Sequence, residues 1–462
     1  MLKSTSVRFG LFSIPVALLA AFLLATGSAN GSSDSDTLTV YAGATLIDGT
    51  GAGARQDMAI VVRGERIESV IPVSELSADM RADAKIVDVS GQYVVPGLID
   101  AHVHLATRPS RAGAEAIMRR QLYSGITTVR DMAGDIRALA ELSRSSLMKE
   151  IPAPDLHYVA LMAGESFFDD PRTVASAQGH TPGNVPWMQA ITKDTELPVA
   201  VGMARGTGAT GIKIYADLPA DLIGPITAEA HRQHIPVWTH AMVFPAAPMD
   251  VVRAGVDVIS HVCLLAYHEA GITPERYKDR EQPDYDTLNP DGPEMRALYA
   301  VMAEEGTVLD ATMWIYDRRE KALEKDPDAA FPFFCPVDYA GGLIRGAIAA
   351  GVPVAAGTDG RTGAEDPFPA LHEELELLAG RVGLAPAYVI RSATAFGAMS
   401  LGLEDEIGTI EAGKLANLVF VSKDPLADIA NLRTVTLTVK RGTGYPRSEY
   451  KPIEPGELNE HF

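Results

Sequence analysis

Two histidines separated by one residue, His102 and His104, are the first residues in the chain whose type and spacing predict chemistry. They follow the apolar stretch Val95-Pro-Gly-Leu-Ile and one aspartate. Alternate residues of a strand point to the same face, so the two imidazoles would point in one direction. Imidazole is a common ligand of zinc and similar ions. The pair therefore predicts a metal site at the end of a strand, although His-x-His alone arises readily by chance.

Four further polar residues end other apolar stretches, namely Lys213, His240, His261 and Asp359. A carboxylate in such a place can bind metal and act as a base. A buried lysine loses its proton readily, and the neutral amine can capture carbon dioxide as a carbamate whose two oxygens bridge two cations. Taken singly, each histidine could be structural and the lysine could be ion-paired or snorkelling. Together the six residues suit two zinc-like ions.

Eight short apolar stretches alternate with helical patterns along the chain. The six candidate residues belong to five of these stretches. We predict strands at 97–105, 126–131, 156–162, 211–215, 237–240, 256–261, 308–315 and 352–359, and helices at 112–123, 135–149, 219–234, 246–254, 293–305 and 338–350. Eight βα units predict an α/β fold, a (β/α)8 TIM barrel. Catalytic side chains in that fold lie at the C-terminal ends of the strands, which is where the six candidates fall.

Short β-branched stretches separated by turn signals lie on both sides of the barrel. We predict that residues 37–97 and 405–442 combine into one small β-sandwich domain, although they are far apart in the chain. The barrel would then occupy residues 98–404, and residues 443–462 would form a C-terminal tail.

The first residues predict export from the cytoplasm. Lys3 and Arg8 precede an apolar stretch at 11–25, and small residues follow, so residues 1–29 read as a signal peptide and 30–36 as a linker. An uncleaved membrane anchor is the alternative, but the apolar stretch is short for a span. The expected location is periplasmic or secreted. Cys263 and Cys335 could pair there, and a buried free thiol at Cys263 fits equally.

The charge balance limits the classes of partner. The 462 residues include 60 acidic and 40 basic side chains, a formal net charge of −20. Such a field repels phosphate backbones, so nucleic acid is excluded as the main partner. Two cysteines exclude a disulfide-stapled scaffold and a cysteine-based zinc finger. The expected partner is a small-molecule substrate, with no membrane contact after signal cleavage, and a homo-oligomer is left open.

The assembled motifs resemble the amidohydrolase superfamily over about residues 37–442. The matching features are Val95-Pro-Gly-Leu-Ile-Asp-Ala-His-Val-His104, Gly211-Ile-Lys213, His240, His261, Gly357-Thr-Asp359 and the stretch from Ile407 to Val419. Within the superfamily the chain is most similar to imidazolonepropionase-like metal-dependent hydrolases. That group includes prolidase-like Xaa-Pro and Xaa-Arg/Lys dipeptidases and ochratoxin-type amidases.

The resemblance implies two Zn²⁺ ions per chain. His102, His104 and Asp359 would bind the first ion, His240 and His261 the second, and a carboxylated Lys213 would bridge them. The implied reaction is hydrolysis of a C–N amide bond, in a dipeptide or N-acyl amino acid, by hydroxide bridging the ions. Asp359 would carry the proton from this water to the leaving amine.

Two further active-site residues come from the same resemblance. Gly179-His180 is similar to a Gly-Gly-His element whose histidine lies near the scissile carbonyl, although Gln178 replaces the first glycine. Tyr267, after the sixth strand, resembles a tyrosine that hydrogen-bonds the reacting carbonyl. Arg361 could clamp a substrate carboxylate or pair with acidic neighbours on the surface. The region 272–300 could be a substrate lid or a surface excursion.

Other reactions on the same site remain open from the sequence. Lactone or phosphotriester hydrolysis uses similar metal sites, and substrate choice depends on loops that the motifs do not describe. A mononuclear imidazolonepropionase-like enzyme or deaminase is a further alternative, since such sites usually lack the lysine bridge. A secreted binding protein with an inactive metal site is the alternative outside enzymes.

Overall fold

The computed structural model describes residues 38–329 and 334–458. The predicted signal peptide at 1–29 and the linker at 30–36 lie outside the described residues. No helix in the described ranges is long and apolar enough to cross a membrane.

Eighteen strands occur in the described residues. In chain order they are Leu38–Leu46 (β1), Arg55–Arg63 (β2), Arg66–Pro72 (β3), Lys85–Asp88 (β4), Tyr93–Pro96 (β5), Leu98–Val103 (β6), Ile126–Asp131 (β7), Asp155–Ala163 (β8), Asn184–Val185 (β9), Met188–Ala190 (β10), Gly211–Ile214 (β11), Val237–His240 (β12), Val258–Ser260 (β13), Val308–Asp310 (β14), Val354–Ala355 (β15), Leu418–Val421 (β16), Val435–Lys440 (β17) and Thr443–Pro446 (β18).

Fourteen α-helices accompany them in the same described ranges. They are Ala78–Asp83 (α1), Arg111–Tyr123 (α2), Ile136–Leu147 (α3), Pro171–Ala177 (α4), Leu197–Gly206 (α5), Ala220–Arg232 (α6), Pro248–Arg253 (α7), Ala266–Ala270 (α8), Pro293–Glu305 (α9), Met313–Lys325 (α10), Val337–Ala349 (α11), Ala370–Gly380 (α12), Pro386–Ser392 (α13) and Ala395–Met399 (α14).

Eight parallel strands form a nearly closed barrel in the order β6, β7, β8, β11, β12, β13, β14 and β15. The ring is completed by hydrogen bonds from the Ala101 amide to the Ala356 carbonyl at 3.0 Å and from the Asp359 amide to the His102 carbonyl at 2.9 Å. Every residue of β7 and β12 is buried, as expected for parallel strands covered on both faces. The predicted TIM barrel is confirmed, and each of the eight predicted strands overlaps a barrel strand.

The helices pack outside the barrel through one apolar face each. In α3 the side chains of Ile136, Leu139 and Leu142 are buried, at the spacing that places them on one side of a helix. The carboxylate of Asp135 accepts a hydrogen bond from the Arg137 amide at 3.1 Å and caps the helix N-terminus.

The two flanks of the barrel form one mixed, eight-stranded sheet in which β5 pairs with β16 and β1 pairs with β2, β4 and β5. The two halves of the chain share its core, since the rings of Tyr41 and Phe420 lie 5.1 Å apart. A buried ion pair joins this sheet to the barrel, with the Lys440 ammonium 3.0 Å from the Asp155 carboxylate. The predicted β domain therefore draws strands from both flanks.

Removal of residues 405–462 is expected to leave the chain insoluble. The truncation deletes β16 to β18 and exposes the core faces of β1, β2 and β5. Leu418, Phe420 and Val439 are fully buried there, and each such side chain contributes ~1.5–3 kcal/mol against a total stability of about 5–15 kcal/mol. Soluble yield and activity of the truncated chain, beside a control ending at Leu458, test this. A soluble and active truncated protein would contradict it.

At two places the structure has a different type of element from the one predicted. The seventh strand ends at Asp310, and helix α10 begins at Met313, inside the range 308–315 predicted as strand. Residues 443–446, assigned to the tail, pair with β17 as strand β18.

The two cysteines form a disulfide, a pairing that the sequence left open. Cys263 and Cys335 have Cα atoms 6.2 Å apart and are separated by 72 residues. Cys263 lies two residues after His261, in the turn that follows β13. The bond therefore ties the chain beside a predicted metal ligand to the segment that precedes α11.

Candidate metal centre

The six predicted metal ligands converge on one cleft at the C-terminal end of the barrel. The cleft encloses about 630 Å³ of empty space, part of it open to solvent, and its lining includes all six. We call it the metal cleft; it contains His102, His104, Lys213, His240, His261 and Asp359. The strands carry these residues because β6, β11, β12, β13 and β15 end at the same face of a parallel barrel.

The carboxylate of Asp359 lies at the centre of the histidines. Its Oδ1 atom is 3.1 Å from His104 Nε2 and 3.7 Å from His102 Nε2. Its Oδ2 atom is 3.9 Å from His261 Nδ1. Ligand atoms bound to one tetrahedral zinc at ~2.0–2.1 Å lie roughly 3.4 Å apart, so this donor set fits a zinc-sized ion with small adjustments.

Two buried nitrogen atoms in the cleft have no hydrogen-bond partner. They are the Lys213 Nζ atom and the His240 Nδ1 atom, both on buried side chains. Burial lowers the pKa of Lys213 to about 7. An unpaired buried polar group costs free energy unless something binds it. These two atoms therefore fit a centre that a cation, and a carbamate on Lys213, would complete.

The pKa shifts in the cleft favour neutral imidazoles at His240 and His261 and an ionised carboxylate at Asp359. Burial lowers the pKa of His261 to about 3 and holds the pKa of His240 well below its usual value. For Asp359, burial acts to raise the pKa, but His102 and His104 outweigh it and hold the pKa well below its usual range. Neutral imidazoles and an ionised carboxylate are the protonation states that bind metal.

A buried aspartate that the sequence analysis missed orients His102. Asp310 Oδ2 lies 2.7 Å from His102 Nδ1 and 3.3 Å from Arg130 Nη2. The Arg130 guanidinium in turn lies over the Trp238 ring, 4.6 Å from its centroid. Holding Nδ1 in this way leaves Nε2 of His102 facing Asp359. The sequence analysis missed Asp310 because the predicted strand 308–315 runs past it, whereas in the structure Asp310 ends β14.

Contacts with β6 and with Asp310 explain the first two residues of the Gly357-Thr358-Asp359 motif. A Cβ atom at Gly357 would lie 2.2 Å from Asp310 Oδ1 and 2.8 Å from the His102 Cβ, so only glycine fits. The Thr358 hydroxyl donates to Asp100 Oδ2 at 3.0 Å, which ties the end of β15 to β6.

The residues that follow the last three barrel strands adopt the left-handed backbone conformation. The φ angles are 72° at His261, 51° at Thr312 and 47° at Asp359. Each such residue costs about 1–3 kcal/mol, and strain of this kind clusters at active sites. The His261 ring is fixed by Thr312, whose hydroxyl lies 3.0 Å from Nδ1.

The structure does not bring two of the predicted catalytic residues into the cleft. His180 is exposed and packs edge-on against Trp187, with ring centroids 5.8 Å apart. Tyr267 is buried and does not line the cleft, and its hydroxyl donates to the Glu281 carbonyl at 2.7 Å. Arg361 is half-buried, and it is not among the residues that line the cleft.

Other side chains, which the sequence analysis did not select, line the mouth of the cleft: Arg172, Tyr215, Tyr277, Arg280, Tyr316 and Arg319. Tyr277 and Arg280 belong to the 272–300 region, so this segment contributes to the cleft and the lid interpretation is favoured over a surface excursion. Tyr277 is anchored by its amide, which donates to Asp217 Oδ1 at 2.7 Å. The Tyr215 ring packs against the His240 ring at an angle of 56°, with ring centroids 4.0 Å apart.

Comparisons with known proteins agree with this architecture. The model of the amidohydrolase family matches residues 93–278 and 342–443. An imidazolonepropionase of Legionella pneumophila (strain Paris) is 27% identical over 398 residues, which cover 83% of this chain and 92% of that protein.

Two solved structures share the fold. A Xaa-Pro dipeptidase with bound methionine has a TM-score of 0.67 at 22% identity and covers 89% of this chain and 100% of its own. The ochratoxinase of A. niger has a TM-score of 0.69 at 20% identity and covers 92% of this chain and 99% of its own.

The barrel, the strand-end ligand set and the family match define a metal-site hydrolase of the TIM-barrel class. The chain belongs to the amidohydrolase family and resembles its imidazolonepropionase-like members. It is a hydrolase that acts on carbon–nitrogen bonds, as the sequence analysis predicted.

Proposed function

We propose that the protein is an exported, binuclear zinc amidohydrolase that cleaves the amide bond of a dipeptide or an N-acyl amino acid. The observation that carries the proposal is the pair of unpartnered buried nitrogens, Lys213 Nζ and His240 Nδ1, on residues that line the metal cleft. A single ion among His102, His104 and Asp359 would leave both unsatisfied. A second ion held by His240, His261 and a carboxylated Lys213 would satisfy both.

The residues of the cleft divide the work of hydrolysis. Bound zinc ions supply Lewis acidity, which lowers the pKa of water and polarises the substrate carbonyl. Asp359 accepts a proton from the attacking water and returns it to the amide nitrogen as the C–N bond breaks. Water thus adds OH to the carbonyl carbon and H to the leaving amine. Asp310 and Arg130 keep His102 in one orientation throughout.

Arginines at the mouth of the cleft support a substrate with a free carboxylate. The Arg172 charge is already paired with Asp170 at 2.7 Å. Arg280 lies 3.8 Å above the Tyr277 ring and donates to the Tyr277 carbonyl. No carboxylate of the described residues lies within ion-pair distance of Arg280, so its guanidinium can bind an anionic group of the substrate.

Replacement of Arg280 by Gln is expected to raise KM for a carboxylate-bearing substrate by about 10- to 100-fold, since hydrogen bonds to charged groups contribute ~1.5–3 kcal/mol. For the same substrate with its carboxylate amidated, the substitution should raise KM far less. Arg276→Gln is the matched control, because Arg276 lies in the same segment, pairs with Asp279 at 2.6 Å and does not line the cleft. Equal KM values in both variants would exclude Arg280 as the anion site.

Export is supported by the disulfide and by the N-terminal sequence. A structural disulfide between Cys263 and Cys335 is typical of proteins in oxidising compartments. The charged, apolar and small-residue order of residues 1–29 is typical of a signal peptide. We therefore place the mature protein in the periplasm or outside the cell. Fractionation of cells that produce the full chain, with N-terminal sequencing, tests this location.

A mononuclear, imidazolonepropionase-like ring hydrolase is the second candidate, favoured by the similarity to the Legionella protein. Elemental analysis of the purified protein separates the two. About two zinc ions per chain, with turnover in a panel of dipeptides and N-acyl amino acids, is the expected result. One ion per chain and no turnover in that panel would favour the second candidate.

A further inference from the structure

A second cavity opens beside the metal cleft. Its empty volume, which includes space open to solvent, is about 340 Å³, and its walls include Leu161, Phe167 and Met188. We call it the side cavity. It shares His104, Arg172 and Tyr215 with the lining of the metal cleft, so the two spaces adjoin at a predicted metal ligand. A group bound in the side cavity would therefore belong to a molecule whose reacting bond lies at the metal centre.

Three polar side chains around the side cavity already form hydrogen bonds with other groups of the protein. The Thr173 hydroxyl donates to the Asp170 carbonyl at 2.7 Å, and the Ser176 hydroxyl donates to the Thr107 carbonyl at 3.1 Å. Arg172 is paired with Asp170 and also donates to the Tyr215 hydroxyl at 3.0 Å. The cavity therefore offers few free hydrogen-bonding groups, which disfavours a polar occupant.

The apolar walls come from rigid elements. Leu161 lies in barrel strand β8, and Met188 pairs with it in register from strand β10. Both side chains are buried, and Phe167 stacks on Tyr215 with ring centroids 4.4 Å apart. A preformed apolar cavity of this kind binds apolar groups without a cost for ordering its own walls.

We propose that the side cavity is the specificity site of the enzyme and binds an apolar side chain, aliphatic or aromatic, of the substrate. This inference rests on the proposed function, because the side chain must belong to the dipeptide or N-acyl amino acid cleaved at the metal centre. The proposed substrates are therefore dipeptides or N-acyl amino acids that carry a residue such as leucine or phenylalanine next to the scissile bond.

The test uses two dipeptide series, Xaa-Gly and Gly-Xaa, in which Xaa is Gly, Asn, Leu or Phe. In one series kcat/KM for Leu and Phe should exceed that for Gly by at least about tenfold, the discrimination that an apolar pocket provides. Asn, which has nearly the shape of Leu, should show no such gain. An equal kcat/KM for Asn and Leu in both series would overturn the proposal.

Variants at Met188 test whether the preference for apolar side chains arises in the side cavity. Met188→Trp fills the side cavity and should reduce the Phe-to-Gly ratio of kcat/KM by about tenfold or more. Val174→Trp is the control, because Val174 lies on α4 beside the cavity but is 58% exposed. If Met188→Trp does not fold, Met188→Ala enlarges the cavity and should raise the Phe-to-Leu ratio. Ratios unchanged in the folded Met188 variants would overturn the proposal.

A binding measurement separates this inference from the proposed function. If no dipeptide is cleaved, the proposed function fails, and calorimetry with 3-phenylpropanoate and propanoate then tests the cavity alone. The wild-type protein should bind 3-phenylpropanoate at least about tenfold more tightly than propanoate, and Met188→Trp should lose that ratio. Equal affinities for the two acids would show that the side cavity is not an apolar site.

Discussion

Substitution of Asp359 by Asn should reduce kcat by about 10²- to 10⁴-fold, the range of general acid–base catalysis, and leave the fold intact. The amide keeps the shape of the carboxylate but cannot take a proton from water or carry it to the leaving nitrogen. Asparagine also tolerates the left-handed conformation, with a φ of 47° at this position, better than most residues do. The backbone should therefore be undisturbed.

Three measurements on this variant separate catalysis from structure and binding. Thermal unfolding should be close to that of the wild type, elemental analysis should report the metal content, and kcat should be measured at saturating metal. Asp366→Asn is the control, since Asp366 follows in the same loop and its carboxylate caps the Phe368 amide at 3.3 Å, outside the cleft. Substantial turnover in metal-loaded Asp359→Asn would remove this residue from the proton pathway.

The strand-end residues could be predicted because the rule that places them is local. Each barrel strand is a short buried stretch, and a polar residue where the stretch ends must lie at one face of a parallel barrel. That rule predicts His240, His261 and Asp359 at one face of the barrel, and in the structure all three line the same cleft. The rule did not select Asp310, because the predicted stretch continues to Ile315, whereas the barrel strand ends at Asp310.

The residues at the mouth of the cleft depend on the paths of long loops, which no local pattern encodes. Tyr277 and Arg280 reach the cleft because the segment after β13 folds back over the barrel and is anchored at Asp217. His180 resembled a catalytic histidine by its neighbours along the chain. Its loop leads instead to the surface beside Trp187. For predicting which residues line the cleft, position at the end of a barrel strand was therefore more informative than a short motif in a loop, such as the one at His180.

The disulfide shows the same limit over a longer range. Cys263 follows a strand end and is buried, which is compatible with a free thiol as well as with a disulfide. Its partner lies 72 residues later, after the whole of α9, β14 and α10. Only the folded path of that region brings the two sulfur atoms together, and no spacing rule for two cysteines in a large chain predicts such a pair.

Lys213→Ala is expected to lower both the metal content and the activity, because it removes the proposed bridge between the two ions. Carboxylation joins the neutral amine to carbon dioxide and releases one proton, and burial favours it by lowering the pKa of Lys213 to about 7. We expect the bound zinc to fall from about two ions per chain to one or fewer, with turnover reduced by at least about 10²-fold.

A second buried lysine provides the control for this substitution. Lys440 is buried like Lys213, but it does not line the metal cleft, and its ammonium donates to Ser146 Oγ at 2.7 Å and to the Ala153 carbonyl at 2.8 Å. Lys440→Ala should lower the melting temperature and leave the metal content of the folded protein unchanged. Protein equilibrated with ¹³C-bicarbonate should show a carbamate signal in the wild type and in Lys440→Ala, and none in Lys213→Ala. Two ions in Lys213→Ala, or no carbamate in the wild type, would mean that other residues complete the centre and that Lys213 stays an amine.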